Sequence, residues 1–150
     1  MQAIIFCGIQ ATGKSSFYKQ NFFNSHVRIS LDLLKTRNRE KQFMETCFKT
    51  SQKFVIDNTN LTKKDRKKYI EIAKDEGYEV IGYYFQSKIK EALERNNKRT
   101  GIEKIPEIGI KGSYNNLEIP SKEEGFDTLY FVRISENNQF IIENWQDEIG

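Results

Sequence analysis

The chain holds only two cysteines, one histidine and no apolar run near the ~18 residues of a membrane span. Cys7 and Cys47 form no CxxC pair, and Cys7 ends a short apolar run, where a thiol packs as a small hydrophobe. The expectation is a reduced, cytoplasmic protein without a disulfide. The amino end is not expected to be a signal peptide: its apolar stretch is short, lacks a preceding charge and leads straight into a glycine loop. Internal repeats and low-complexity linkers are also missing. The formal net charge of +3 suits an anionic ligand but is too small to diagnose a nucleic-acid binder. Its 150 residues fit one domain spanning 1–150, long enough to bury roughly two thirds of the unfolded surface.

What is present is an alternation. "AIIFCG" reads as a buried strand, followed by a helix from Ser15 to about Phe23. "HVRIS", His26–Ser30, is a weaker strand, and Asp32 to about Thr50 reads as mostly helical. "KFVIDN", Lys53–Asn58, is a strand ending in polar residues. The next helix carries the capping box Thr62/Asp65, an apolar face of Tyr69, Ile72 and Ala73, and Gly77 as its stop. A strand over Tyr78–Phe85 precedes a helix that Ser87 can cap, running to about Asn97. "NNKRTGIEKIP" is a basic, mobile loop, and Pro106 can open a short helix. Thr128–Ile134 is the last core strand, with Gln139–Trp145 beside it after a turn. The pattern predicts an α/β fold with a mostly parallel sheet, whose ligands sit at the carboxyl ends of the strands.

"GIQATGKS" lies at such an end, between a strand and a helix, the context that identifies a phosphate-binding loop. Gly8, Ile9, Gln10, Ala11, Thr12, Gly13, Lys14, Ser15 and Ser16 are the expected nucleotide-binding residues. Their backbone N–H groups can wrap a polyphosphate at a helix N-terminus. Lys14 is placed to reach the β and γ oxygens, and the Ser15 hydroxyl to ligate Mg²⁺. No NKxD-type guanine-reading sequence and no DxxG after the third strand support a switch GTPase.

Asp32 falls just beyond the second strand, where a carboxylate could accept the proton of an attacking hydroxyl; it could equally serve as a helix N-cap. Asp57, Asn58, Thr59 and Asn60 end the third strand. Asp57 could support the metal's water shell or orient a cation, while turn chemistry accounts for Asn60. Arg95 and Arg99 stand four apart at a helix end, where arginines can swing over phosphates. The runs around Lys35–Lys41 and Lys63–Lys68 read as solvated charged faces, and His26 and Trp145 as packing residues.

In that order, "GIQATGKSSF", "RISLDLLK", the segment from "VIDNTN" through "IGYYF", and "RNNKRTG…IP" resemble polynucleotide 5′-kinases and the single-domain kinases related to them. "YNNLEIPSKEEGFDTLYFV" looks like the end of the eukaryotic kinase domains of that family, so the resemblance covers nearly the whole chain. It implies a three-layer P-loop kinase fold with a small basic lid, ATP and Mg²⁺ as cofactors, and a 5′-hydroxyl nucleic acid as acceptor. Carried over by position, it makes Asp32 the general base, Lys14 and Ser15 the phosphate-loop lysine and serine, and Lys35 the position of an acceptor-phosphate arginine. Asp57 and Thr59 then lie beside the acceptor, Arg99 is the lid arginine on the ATP phosphates, and Arg95 is its companion. Two departures matter. Lysine at position 35 replaces a planar fork with a point charge, and Leu31 stands where related chains often carry a basic residue. Both weaken the case for a nucleic-acid acceptor and leave the transfer chemistry intact. No DxDGT-like phosphatase motif is present.

Three functions remain: a kinase for a 5′-hydroxyl nucleic acid, a kinase for a small metabolite or nucleoside, and a non-catalytic ATP-binding module that controls a partner protein. A pure binder needs neither the base Asp32 nor the lid arginine Arg99.

Overall fold

Strand β1, Gln2–Cys7, forms the centre of a six-stranded sheet because it is apolar on both faces. Ile4 and Phe6 point into one core, and Ala3, Ile5 and Cys7 into the other. The computed structural model of the chain describes residues 1–147 and Ile149. The remaining strands are β2 (Val27–Ile29), β3 (Phe54–Ile56), β4 (Glu79–Phe85), β5 (Thr128–Ile134) and β6 (Phe140–Asn144). Their spatial order is β2-β3-β1-β4-β5-β6; the first five run parallel, and β6 returns antiparallel along β5.

Helices cover both faces. Helix α1, Lys14–Asn21, packs Phe17 and Tyr18 against Phe6, Phe85 and Val132. Helix α2 (Leu31–Leu34) and helix α3 (Arg37–Thr50) lie on the opposite face with α4 (Lys63–Asp75). Helices α5 (Ile89–Asn97) and α6 (Glu107–Asn116) form the lid and flank the basic segment that joins them. Ala92 and Ile110 bury Ile9 and Ala11 of the glycine loop in a third apolar cluster. This is the α/β fold with a mostly parallel sheet expected from the alternation of elements, and its three layers agree with what the resemblance implied.

The local signals for α4 are realised: Thr62 accepts from the Asp65 N–H at 3.1 Å, and the Asp65 carboxylate accepts from the Thr62 N–H at 3.3 Å. Its apolar face differs from the expected one. Tyr69 and Ala73 are buried, but Ile72 is 45% exposed and Ile70 takes its place in the core. The basic run was expected to be solvated, and Arg66 departs from it. It is fully buried, holding Glu124 through two bonds of 2.7 and 3.1 Å and the Asn60 carbonyl at 2.8 Å. His26 and Trp145 pack as expected, the former over Phe22 and the latter against Tyr84.

The segment expected as one helix after Asp32 is two. The break is a tight turn at Lys35, with φ +74°, closed by the Thr36 N–H bonding the Leu34 carbonyl at 2.9 Å. Such a turn is rare and strained outside glycine. Lys35→Gly should therefore stabilise the fold by about 1 kcal/mol, checked by urea unfolding.

Candidate functional site

The glycine loop is held from three sides. The Gly8 N–H donates to the Thr59 carbonyl at 3.0 Å, tying the loop to the end of β3. The Ile9 N–H donates to Ser87 Oγ at 3.1 Å, and that hydroxyl donates to the Phe85 carbonyl at 2.9 Å. Ser87 thus braces the loop, while Lys88 occupies the cap position of α5 that the sequence suggested for Ser87. The lid supplies the third side. Gln10 Nε2 donates to Ser113 Oγ at 3.0 Å, and Arg95 Nη1 to the Ala11 carbonyl at 3.3 Å. Gly8 and Ile9 therefore spend their N–H groups on the loop's shape. Gly13 turns the chain into α1 at φ +95°, and a Cβ there would lie 2.8 Å from the Phe140 ring.

Lys14 folds back into this loop. Its ammonium donates to the carbonyls of Gly8 and Ile9 at 2.9 and 2.7 Å. Burial pulls its pKa down to about 8, opposed by the charge of Asp57, assisted by that of Arg99 and opposed again by Asp32. The charges of Asp57, Arg99 and Asp32, far apart in sequence, thus all act on Lys14. The sign of the pH dependence follows. Free Lys14 loses its proton through about pH 8, whereas the unfolded chain keeps it to 10.5, so Lys14 adds stability as pH rises between those values. Bound phosphates restore the ammonium. ATP affinity should fall above about pH 8, and calorimetry in buffers of different ionisation enthalpy at about pH 9 should show proton uptake on binding. Lys14→Met should abolish that uptake.

Asp32 lies in the first turn of α2 and is exposed. Ser30, not Asp32, occupies the N-cap position. The placement of α2 comes from a polar network the sequence did not announce. Asn58 Oδ1 accepts from the Leu31 N–H at 2.9 Å, and Asn58 Nδ2 donates to Glu40 at 3.1 Å. Glu40 is only 5% exposed; it also accepts from Tyr69 Oη at 3.0 Å and from Arg37 at 3.2 Å. Burial, and then the charge of Glu40, raises the Tyr69 pKa, so its phenol stays a donor. Arg37 reaches this network from the solvated face, its side chain 59% exposed. Lys35 is exposed. Thr59 contributes its carbonyl to Gly8, and Asn60 fills a turn with φ +46°, its side chain bonded to the Phe6 carbonyl at 2.7 Å.

Ser15 Oγ donates to Asp57 Oδ2 at 3.2 Å. Arg28, from β2, donates to the same two atoms: Nε to Asp57 at 2.8 Å and Nη2 to Ser15 at 3.2 Å. No sequence argument singled out Arg28; the available signal was a charge inside the short strand "VRI". Among the described residues, no group of three or more His, Cys, Asp or Glu side chains is placed to hold a metal ion. The Ser15–Asp57 oxygen pair nevertheless suits Mg²⁺, which keeps waters and completes its shell with substrate phosphates. Its 3.2 Å separation is close to the ~3.0 Å edge of an octahedron with ~2.1 Å metal–oxygen bonds. Arg99 Nη1 donates to the Glu103 carbonyl at 3.3 Å, a contact within the lid. Cys7 lies beneath the loop, and burial pushes its thiol up to about 11, removing it as a nucleophile at neutral pH.

A family model described as an AAA domain matches residues 34–111. The chain is 28% identical over 134 residues to a bifunctional polynucleotide phosphatase/kinase of Schizosaccharomyces pombe, with 85% of the chain covered. It spans 32% of that relative's length and 33% of the length of a relative from Acanthamoeba polyphaga mimivirus. Among solved structures, Kti12 of Chaetomium thermophilum in complex with ADP-AlF3 superposes with a TM-score of 0.66 at 15% identity, covering 91% of this chain and 92% of that one. A gluconokinase from Sinorhizobium meliloti 1021 superposes with a TM-score of 0.63 at 19% identity, covering 90% and 83%.

Proposed function

The chain belongs to the AAA-domain family whose model matches residues 34–111, and from that premise we propose that it is an ATP-dependent kinase transferring the γ-phosphoryl group to a hydroxyl, in the first place the 5′-hydroxyl of a nucleic acid. The observation that carries this reading is the Lys14 ammonium seated in the glycine loop, on the carbonyls of Gly8 and Ile9, with the neighbouring Ser15 hydroxyl bonded to Asp57 at 3.2 Å. Asp32 accepts the acceptor's proton, the freed oxygen forms its bond to the γ-phosphorus, and the bond to the β-phosphate oxygen breaks to release ADP. Lys14 leaves the loop carbonyls for the β and γ oxygens, and Arg99 leaves Glu103 to meet the γ-phosphate. Phosphoryl transfer needs little covalent help from the protein, so positioning and charge stabilisation supply most of the rate. Ser15 and Asp57 would hold Mg²⁺, which when bound draws charge from the phosphates. Arg95, fixed on Ala11, keeps the lid on the loop beside the nucleotide. In this reading Lys35 and Thr59 contact the acceptor. The relatives named polynucleotide phosphatase/kinase support the choice of acceptor. The two unpaired, buried thiols suit a reducing, cytoplasmic setting, and among the described residues no helix is long and apolar enough to cross a membrane.

A second reading, a kinase for a small hydroxyl compound, is favoured by one feature. The helix bearing Asp32 presents Leu31, Leu33 and the single cation Lys35, with no arginine fork for an internucleotide phosphate. One assay separates the two. The protein is given γ-labelled ATP, Mg²⁺ and either 5′-hydroxyl DNA and RNA oligonucleotides or nucleosides and sugars. Label on the oligonucleotides supports the first reading, and label confined to small acceptors supports the second. Retained ATP binding without any transfer would overturn both and leave a binding module.

A further inference from the structure

Arg28 occupies a position that the proposed reaction does not use. Its Nε and Nη2 grip Asp57 Oδ2 and Ser15 Oγ, the two oxygens assigned above to the metal. Asp57 is 3% exposed at its side chain, and Arg28 is 27% exposed. A buried carboxylate without a counter-charge is costly, so Asp57 requires a cation in every state of the protein. In this structure Arg28 is that cation, its Nε 2.8 Å from Asp57 Oδ2.

A guanidinium bonded to both Ser15 Oγ and Asp57 Oδ2 competes with a divalent ion for the same two atoms. Both would occupy the notch between Ser15 and Asp57, and their like charges repel at that distance. We infer that Arg28 is an internal stand-in for the divalent cation: it closes the Ser15–Asp57 pair when nucleotide and metal are absent and must swing out when they enter. The exposed part of the side chain gives it a route to solvent, while β2 fixes its root at the edge of the sheet. The exchange of one cation for another keeps Asp57 compensated throughout and holds its carboxylate beside Ser15 before nucleotide arrives. It also sets a threshold, since each metal ion bound must displace two charge-assisted hydrogen bonds.

This inference rests on the assignment of Ser15 and Asp57 to the metal, and the test separates the two. Mn²⁺ is titrated into the full chain in the presence of ADP, with free Mn²⁺ counted by its paramagnetic resonance signal. Arg28→Gln should bind Mn²⁺ at least about tenfold more tightly than wild type, since metal entry no longer displaces the two charge-assisted hydrogen bonds of Arg28. Arg28→Lys, which keeps the charge, should stay near wild type, whereas a merely structural role would move both variants alike. Asp57→Asn should bind Mn²⁺ more weakly. If Asp57→Asn weakens binding and Arg28→Gln does not tighten it, the stand-in role is overturned and the metal assignment survives. If Asp57→Asn binds as wild type does, the assignment fails and the inference falls with it.

Should Arg28→Gln not fold, the wild-type protein answers by NMR. The Arg28 Nε–H resonance should lose its exchange protection with Mg²⁺ and ADP together and keep it with ADP alone. Protection retained with both would overturn the inference.

Discussion

Asp32→Asn should lower kcat for phosphoryl transfer by about 10²–10⁴-fold while leaving ATP affinity and the melting temperature nearly unchanged. The substitution keeps size and polarity at an exposed position and removes only the capacity to take a proton. The competing structural role is small. Ser30 holds the N-cap position of α2, so Asp32 contributes at most a helix-dipole interaction of about 0.3–1 kcal/mol. The two roles therefore predict different readouts. A base lost from the reaction appears in kcat with both KM values preserved; a lost helix contact appears in unfolding. Single-turnover transfer to the acceptor found by the panel assay, beside a urea titration, separates them. Undiminished transfer would remove Asp32 from the chemistry.

The second large effect is on stability. Arg66→Ala should cost about 3–5 kcal/mol, because it strands the Glu124 carboxylate, 8% exposed at its side chain, without its cation. It also removes the donor to the Asn60 carbonyl, in the turn whose side chain bonds Phe6 just before the glycine loop. A loss of that size is a substantial part of the ~5–15 kcal/mol available to a typical domain. Urea unfolding of Arg66→Ala, Glu124→Ala and the double variant gives the coupling directly. The double variant should cost less than the sum of the singles, since removal of both charges leaves neither unpaired. Additive losses would mean that the pair contributes no interaction of its own.

Arg66 also shows where sequence patterns stop. The strand and helix alternation, the capping box of Thr62 and Asp65 and the glycine loop are local: each depends on residues within a few positions of one another, and each is found where the sequence put it. Burial within a charged run is not local. Nothing in "KKDRKK" distinguishes Arg66 from its neighbours, because its partner Glu124 lies 58 residues away. The same holds for Ile70 replacing Ile72 in the core: which stripe of α4 faces inward depends on how the helix lies across the sheet.

The site divides along the same line. Lys14, Ser15, Asp32, Asp57 and Arg99 could be proposed from the sequence because backbone cradles, proton acceptors and phosphate cations belong at strand ends and helix starts. The sequence thereby determined an α/β chain with a glycine loop at the end of its first strand and named the side chains proposed to act there. The tertiary structure alone decided which of those side chains meet. It braced the loop with Ser87 and the lid, held α2 through Asn58 and Glu40, broke the helix at Lys35, and laid Arg28 across Ser15 and Asp57. The physical reason is that these contacts join different strands and helices. Their partners are fixed by the register of the parallel sheet and the packing of its two faces, which no short window of sequence contains.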